Sequence, residues 1–284
     1  MEAGNICTTD NNSGGRRLSL DWMRIAATAA VVILHVSGMK WSLVDAGSYE
    51  WHILNVYDSL VQWAVPVFVM ISGALFLKSD RPVRVIFRKN ILRILTAFLF
   101  WSFVYSLGMI FSGNALKDVI KNFIGGAYHM WYLFLIAGLY MIVPFLRLIV
   151  KDEKLTRYFL LLSFIFAFVI PHMIKMVSVF SGGGASFIEE VVGKFHMNFV
   201  ISFPFYYVLG YYLDSVDLSG RAAGIVYVLG IAGFLFTVLI TAAISGRPDL
   251  DPLMFYDSFT LNIFFEAVFV FVFFKRRFDR RGSS

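Results

Sequence analysis

Long apolar stretches recur along the whole chain and constrain its fold more than any other feature. A helix needs roughly 20 apolar residues to cross a hydrocarbon core of about 30 Å. The stretches of about that length are 20–39, 58–77, 93–112, 130–149, 157–177, 197–213, 222–244 and 258–274. We therefore predict an all-α protein, a polytopic transmembrane helix bundle of about eight spans.

The composition excludes an ordinary soluble protein. Hydrophobic residues make up 58% of the 284 residues and charged residues only 15%, which is too little charge for a surface that faces water. We expect a polar tail at 1–17, one transmembrane domain at 18–277 and a second polar tail at 278–284. The single cysteine, Cys7, allows no intramolecular disulfide and no cysteine-based metal site, and we expect no metal.

Positive charge is distributed unevenly between the two sides of the predicted bundle. If the amino terminus is cytoplasmic, the inner segments hold 19 of the 25 Lys and Arg residues and the outer segments hold 6. Positive residues concentrate in cytoplasmic loops, so both termini are predicted to be cytoplasmic. The net charge of +6 is spread over short clusters between apolar runs, which indicates membrane orientation and a lipid partner rather than nucleic acid.

Three ionisable residues of the first predicted span are candidates for function, because a charge inside hydrocarbon costs several kcal/mol. Arg24 and His35 are eleven residues apart, which places them on one helix face about 16 Å from each other. Asp21 lies one turn before Arg24 and can pair with it. The alternative is that Arg24 reaches the lipid headgroups while His35 is a structural histidine near the outer interface.

Two other polar groups also have plain explanations. Arg88, Lys89 and Arg93, before and at the start of the third predicted span, could be cytoplasmic anchors. Glu266, one turn after Asn262, could be a structural hydrogen-bonding group, and the sequence does not identify its partner.

Four segments together resemble, in order, the signatures of the acyltransferase family 3 membrane proteins. They are Leu20-Asp21-Trp22-Met23-Arg24 with His35-Val36-Ser37-Gly38, then Val65 to Leu75 with Ser72-Gly73, then His129-Met130-Trp131-Tyr132-Leu133 running on to Leu139-Tyr140 and Pro144, and Tyr207-Val208-Leu209-Gly210-Tyr211-Tyr212-Leu213. The resemblance extends from residue 18 to about residue 274. Within the family, the sequence most resembles bacterial enzymes that O-acetylate surface glycans, such as the enterobacterial common antigen acetyltransferase.

The sequence departs from the family pattern in two places. The family's Arg-x-x-Arg pair appears here as Asn90-Ile91-Leu92-Arg93, so the first Arg is not matched. The family usually has two more helices, which we expect to be missing after Phe278.

The resemblance implies transfer of an acyl group, usually acetyl from cytoplasmic acetyl-CoA, to a hydroxyl of a surface or lipid-linked glycan at the bacterial cytoplasmic membrane. His35 would be the general base or a transient acyl carrier. Arg24, held by Asp21, would meet the CoA phosphates together with the basic group Arg88, Lys89 and Arg93. The pantetheine arm of CoA is long enough to bridge the distance from Arg24 to His35.

The resemblance also assigns roles to two other segments. His129 and Trp131 would bind the sugar, or would belong to an interfacial aromatic belt. Ser72 and Gly73 are expected to allow close helix packing.

Two other interpretations remain open. A small-solute or glycan-lipid transporter could use the same His and Arg residues to line a permeation path, although the matching interrupted spans of inverted repeats are not visible. A truncated family member could insert into the membrane without activity.

Overall fold

A computed structural model describes residues 17–41, 43–181, 190, 194 and 197–279, and this part of the chain contains helices and loops without strands. Cys7 and most of the two predicted tails lie outside these residues. The helices of the first half are α1 Leu18–Trp41, α2 Tyr49–Val61, α3 Ala64–Phe76, α4 Val83–Val85, α5 Leu92–Phe111 and α6 Leu116–Gly125. Those of the second half are α7 Trp131–Val150, α8 Glu153–Phe164, α9 Ile170–Ser181, α10 Met197–Ser215, α11 Gly220–Ile244 and α12 Leu261–Phe278.

Several of these helices join into longer rods. A widened helical turn, Ile86–Ile91, links α4 to α5, another, Ile165–Val169, links α8 to α9, and a short 3₁₀ turn, Tyr128–Met130, leads into α7. Side chains fix some of the starts, since the Asp152 carboxylate accepts hydrogen bonds from the first backbone N–H groups of α8 at 2.7 and 3.0 Å.

In the described part of the chain, six helical stretches are long and apolar enough to cross a membrane, which fits an integral membrane protein. They are Leu18–Trp41, Tyr49–Phe76, Val83–Phe111, Leu116–Val150, Glu153–Ser181 and Gly220–Ile244. The prediction of about eight spans is not confirmed. Helices α10 and α12 occupy the other two predicted stretches, but four tyrosines and Asp214 reduce the apolar character of α10, and three basic residues and Glu266 reduce that of α12.

Helices α3 and α10 cross at the centre of the bundle with their backbones in direct contact. A Cβ atom added at Gly73 would lie 1.7 Å from the Tyr207 carbonyl oxygen, and one added at Gly210 would lie 2.0 Å from the Met70 carbonyl oxygen. Neither position has room for a side chain, so the prediction that Gly73 allows close helix packing is confirmed.

Helices α11 and α12 pack through a second small-residue contact that includes buried polar groups. The Asn262 side chain donates to the Thr237 hydroxyl at 2.8 Å, and that hydroxyl lies 3.2 Å from the Glu266 carboxylate. The Glu266 residue is only 3% exposed. Thr237 is therefore the partner that the sequence did not identify.

One end of the bundle is joined by an ion cluster around Asp214, whose side chain is 1% exposed. Arg17 donates a 2.7 Å hydrogen bond to this carboxylate and Lys78 approaches it at 2.6 Å. Lys275 of α12 donates to three carbonyl groups at the end of α10. The pKa of the Arg17 guanidinium is raised above its ordinary value, chiefly because of its hydrogen bond to the Asp214 carboxylate. We refer to this region as the Asp214 end.

The loop between α11 and α12 covers the opposite end of the bundle. The Tyr206 hydroxyl donates to the Ser258 carbonyl at 2.6 Å, and Lys175 pairs with Asp257 at 3.0 Å. The Tyr256 hydroxyl lies 2.5 Å from the Asn55 side-chain oxygen of α2. These contacts fix the loop on helices α2, α9 and α10.

Candidate active site

The candidate site lies between residues of α1 and residues at the start and middle of α7, and we refer to the region between His35, His129, Arg24 and Tyr140 as the cleft. At one end, the ring centres of His35 on α1 and His129 just before α7 are 5.8 Å apart. Toward the Asp214 end, the Tyr140 side chain on α7 lies close enough to Arg24 on α1 and Arg93 on α5 to interact with their positive charges. The two helices therefore run antiparallel along the cleft. Eleven residues separate Arg24 from His35 and also His129 from Tyr140, which corresponds to about 16 Å along a helix.

The hydrogen bond of His35 determines which of its ring nitrogens can act as a base. Its Nδ1 lies 2.7 Å from the carbonyl oxygen of Val31, one turn earlier on α1. A carbonyl oxygen can only accept, so Nδ1 must carry the proton. In the neutral ring, Nε2 then has a free lone pair. The side chain is half-buried, so the ring remains within reach of a substrate.

Two tyrosines surround the histidine pair. The His129 ring centre is 5.2 Å from that of Tyr105 on α5 and 5.4 Å from that of Tyr128, and Tyr128 is also 5.8 Å from His35. We refer to His35, Tyr105, Tyr128 and His129 as the histidine cluster. Neither tyrosine was predicted from the sequence to belong to the site. Tyr128 could have been found from its position beside His129, whereas nothing in the sequence links Tyr105 to this site.

Trp131 lies apart from the histidine cluster although it is close to His129 in sequence. Its ring packs against Phe203 of α10 and against Tyr132, with centre distances of 6.1 and 6.4 Å. Among the ring contacts of the described residues, none joins Trp131 to His35. The residue is 46% exposed, so its outer face is accessible at this end of the bundle.

The predicted pair of Asp21 and Arg24 is present. The two side chains are 3.4 Å apart, and the Arg24 side chain is 46% exposed, so its guanidinium can meet a second anion. A salt bridge this exposed adds little stability. Its effect is to orient Arg24.

The three basic residues near the third span differ in position. Arg88 and Lys89 are exposed in the widened turn Ile86–Ile91, a kind of helix irregularity that is frequent at functional sites. Arg93 follows in α5. Arg93 and Arg24 both lie near the Tyr140 side chain.

Metal-binding residues do not gather in the described part of the chain. No group of three or more His, Cys, Asp or Glu side chains there could hold a metal ion. The polar groups of the cleft are instead histidine rings, guanidinium groups and tyrosine hydroxyls.

Comparison with known proteins gives one match. A family model described as an acyltransferase domain matches residues 17–284, which includes every residue of the cleft. No curated protein and no solved structure matches the chain.

Proposed function

Because the chain belongs to acyltransferase family 3, a family of membrane acyltransferases, we propose that it is an O-acyltransferase. It moves an acyl group, acetyl in the first instance, from acyl-CoA to a hydroxyl of a surface or lipid-linked glycan. The observation that carries this proposal is the hydrogen bond from His35 Nδ1 to Val31, because it leaves Nε2 free as a proton acceptor.

The chemistry requires such a base. A sugar hydroxyl is a weak nucleophile, and a neutral imidazole can take its proton near neutral pH. As the hydroxyl oxygen bonds to the thioester carbon, its proton moves to His35 Nε2. When the carbon–sulfur bond breaks, the proton passes from His35 to the departing thiolate. The products are the sugar ester and free CoA, and His35 returns to its neutral form.

The donor enters this scheme from the Asp214 end. Arg24 and Arg93 bind phosphate oxygens of CoA, since a guanidinium group donates paired hydrogen bonds to phosphate. Asp21 orients Arg24. Arg88 and Lys89 add positive charge at the same end. The pantetheine arm then extends along the cleft for about 16 Å, from Arg24 to His35.

The acceptor binds at the histidine cluster. His129 lies beside His35 and can hydrogen-bond a sugar hydroxyl, while the exposed face of Trp131 can stack on a sugar ring. The uneven distribution of Lys and Arg supports a cytoplasmic Asp214 end with both termini inside. We place the protein in the bacterial cytoplasmic membrane, where the donor is cytoplasmic and the acceptor is an exported or lipid-linked glycan.

The test is acyl transfer from radiolabelled acetyl-CoA into the glycolipid fraction of membranes that contain the full chain. Several host glycans are offered, with enterobacterial common antigen as the first acceptor. His35→Ala is compared with His52→Ala, because His52 is an exposed histidine on α2. We expect label with the unmodified chain and with His52→Ala, and none with His35→Ala.

Two results would contradict the proposal. Equal labelling by His35→Ala and the unmodified chain would show that His35 is not the general base. No label from the unmodified chain, once its insertion is shown, would refute acyl transfer. Movement of an unmodified solute without acyl-CoA would then indicate a transporter.

A further inference from the structure

One face of α3 is built to hold two tyrosines of α7. Phe68, Ser72 and Phe76 follow one another at intervals of four residues and so share a helix face. The Phe68 ring lies 6.0 Å from that of Tyr132, and the Phe76 ring lies 4.5 Å from that of Tyr140. The two aromatic pairs therefore flank Ser72 on either side.

The hydroxyl groups converge between these aromatic pairs. The Tyr132 and Tyr140 hydroxyls both lie close to the Ser72 hydroxyl. Ser72 uses its own hydrogen to donate to the Phe68 carbonyl at 3.0 Å, so its oxygen is available to accept. We refer to Ser72, Tyr132 and Tyr140 as the hydroxyl row. All three residues are only partly buried although they lie in the middle of the bundle.

A third tyrosine, Tyr207, lies beside the row, and its buried hydroxyl has no hydrogen-bond partner among the described residues. This hydroxyl lies within electrostatic range of Tyr140 and Tyr132. Buried polar atoms are nearly always paired, so each exception needs an explanation. A polar ligand in the cleft would supply one.

The row lies between the two ends of the cleft. Tyr140 is near Arg24 and Arg93, whereas Tyr132 is only three residues from His129 of the histidine cluster. A ligand that reached from one end to the other would therefore pass the hydroxyl row. The middle section of such a ligand would lie beside the hydroxyl groups of the row. These groups are neutral, and they can both donate and accept hydrogen bonds.

We propose that the hydroxyl row binds the pantetheine arm of the acyl-CoA donor. This inference rests on the proposed function. The arm carries two amide groups, and each has one N–H donor and one carbonyl acceptor, which neutral hydroxyls can pair with. The row fixes the arm so that the thioester stops at the histidine cluster. Ser72, Tyr132 and Tyr140 are thus substrate-binding residues for the donor.

The test measures the binding of two ligands to the purified full-length protein. Acetyl-CoA has the pantetheine arm, while adenosine 3′,5′-bisphosphate keeps part of the phosphate-bearing end of CoA and lacks the arm. Tyr140→Phe and Ser72→Ala each remove one hydroxyl and keep most of the packing. We expect each to weaken acetyl-CoA binding by about two- to tenfold, the effect of one lost hydrogen bond, and to leave the bisphosphate unchanged.

Two control variants define the comparison. Arg93→Gln is expected to weaken the binding of both ligands, because Arg93 meets the phosphates. Tyr227→Phe is expected to weaken neither, because the Tyr227 ring packs against Phe269 of α12, with ring centres 5.4 Å apart, away from the cleft.

Three results would overturn the inference, and they differ from one another. If Tyr140→Phe and Ser72→Ala bind acetyl-CoA as the unmodified protein does, the row does not bind the arm and the proposed function stands. If both variants lose the two ligands in the same proportion, the row has only a structural role. If the unmodified protein binds neither ligand, the acyl-CoA donor is wrong and the proposed function fails as well.

Discussion

The crossing of α3 and α10 predicts that a single methyl group at Gly73 destabilises the protein strongly. Ordinary van der Waals contact of a Cβ atom begins at 3.4 Å, but a Cβ at Gly73 would lie 1.7 Å from the Tyr207 carbonyl oxygen. The obstacle is backbone, so no rotation of a side chain can relieve it. Gly73→Ala therefore forces the two helices apart.

The cost can be estimated from the geometry. Overpacking a well-packed core costs typically about 1–3 kcal/mol. Because the obstacle here is rigid backbone and the neighbours Val67, Met70 and Tyr206 are all fully buried, we expect a loss at the upper end, about 3 kcal/mol. At about 2–4 °C per kcal/mol for a large domain, this corresponds to a fall in Tm of about 6–12 °C.

The assay is thermal unfolding of the detergent-solubilised protein, followed by loss of its monodisperse gel-filtration peak. Gly108→Ala is the matched control, because Gly108 lies within helix α5 and a Cβ there meets nothing within 4 Å. Replacing a helical glycine by alanine in open space is expected to leave Tm unchanged or to raise it slightly. If Gly73→Ala and Gly108→Ala unfold at the same temperature, the close contact does not hold the bundle together.

Three further predictions concern other parts of the molecule. Asp214→Ala is expected to cost about 1–2 kcal/mol and lower Tm, since two cations lose their buried partner, while Asp217→Ala, at a fully exposed side chain, leaves Tm unchanged. Equal Tm values for the two variants would contradict this. Glu266→Gln is expected to keep both Tm and acyl transfer, because the amide oxygen can still accept from Thr237, and a loss of transfer alone would show that the carboxylate takes part in the chemistry. His129→Phe is expected to raise KM for the glycan several-fold without changing acetyl-CoA binding. An unchanged KM would show that His129 does not bind the acceptor.

The features that the sequence predicted well are local ones. The helix that holds Asp21, Arg24 and His35, and the pairing of the first two, follow from helical periodicity within one apolar stretch. The tight packing at Gly73 was also predictable, because small residues in membrane helices allow backbones to approach. Each of these predictions needs only residues that are close in sequence.

The features that the sequence did not predict depend on which helices are neighbours. The spacing of Phe68, Ser72 and Phe76 is visible in the sequence, but it does not tell that α7 lies opposite. Tyr105 joins the histidine cluster because α5 reaches the same end of the bundle as the start of α7. The number of spans was also difficult to predict, because apolar runs that contain tyrosine or buried carboxylates resemble spans without meeting the hydropathy that a lone span needs.

Because α1 and α7 are antiparallel, the spacing of Arg24 and His35 matters in two ways. It sets the helix face on which each side chain lies, and it sets the distance between them; the helix face is the more important of the two. One residue inserted between them would lengthen the interval by only about 1.5 Å, which a flexible pantetheine arm could absorb. The same insertion would rotate His35 by about 100° and turn its ring away from His129, which no movement of the donor could correct. Eleven residues make three full turns with roughly 20° to spare, so Arg24 and His35 both face α7. The interval from His129, just before α7, to Tyr140 is also eleven residues, so residues of the two segments lie near each other at both ends of the cleft. A donor held by its phosphates at one end is thereby directed to the base at the other.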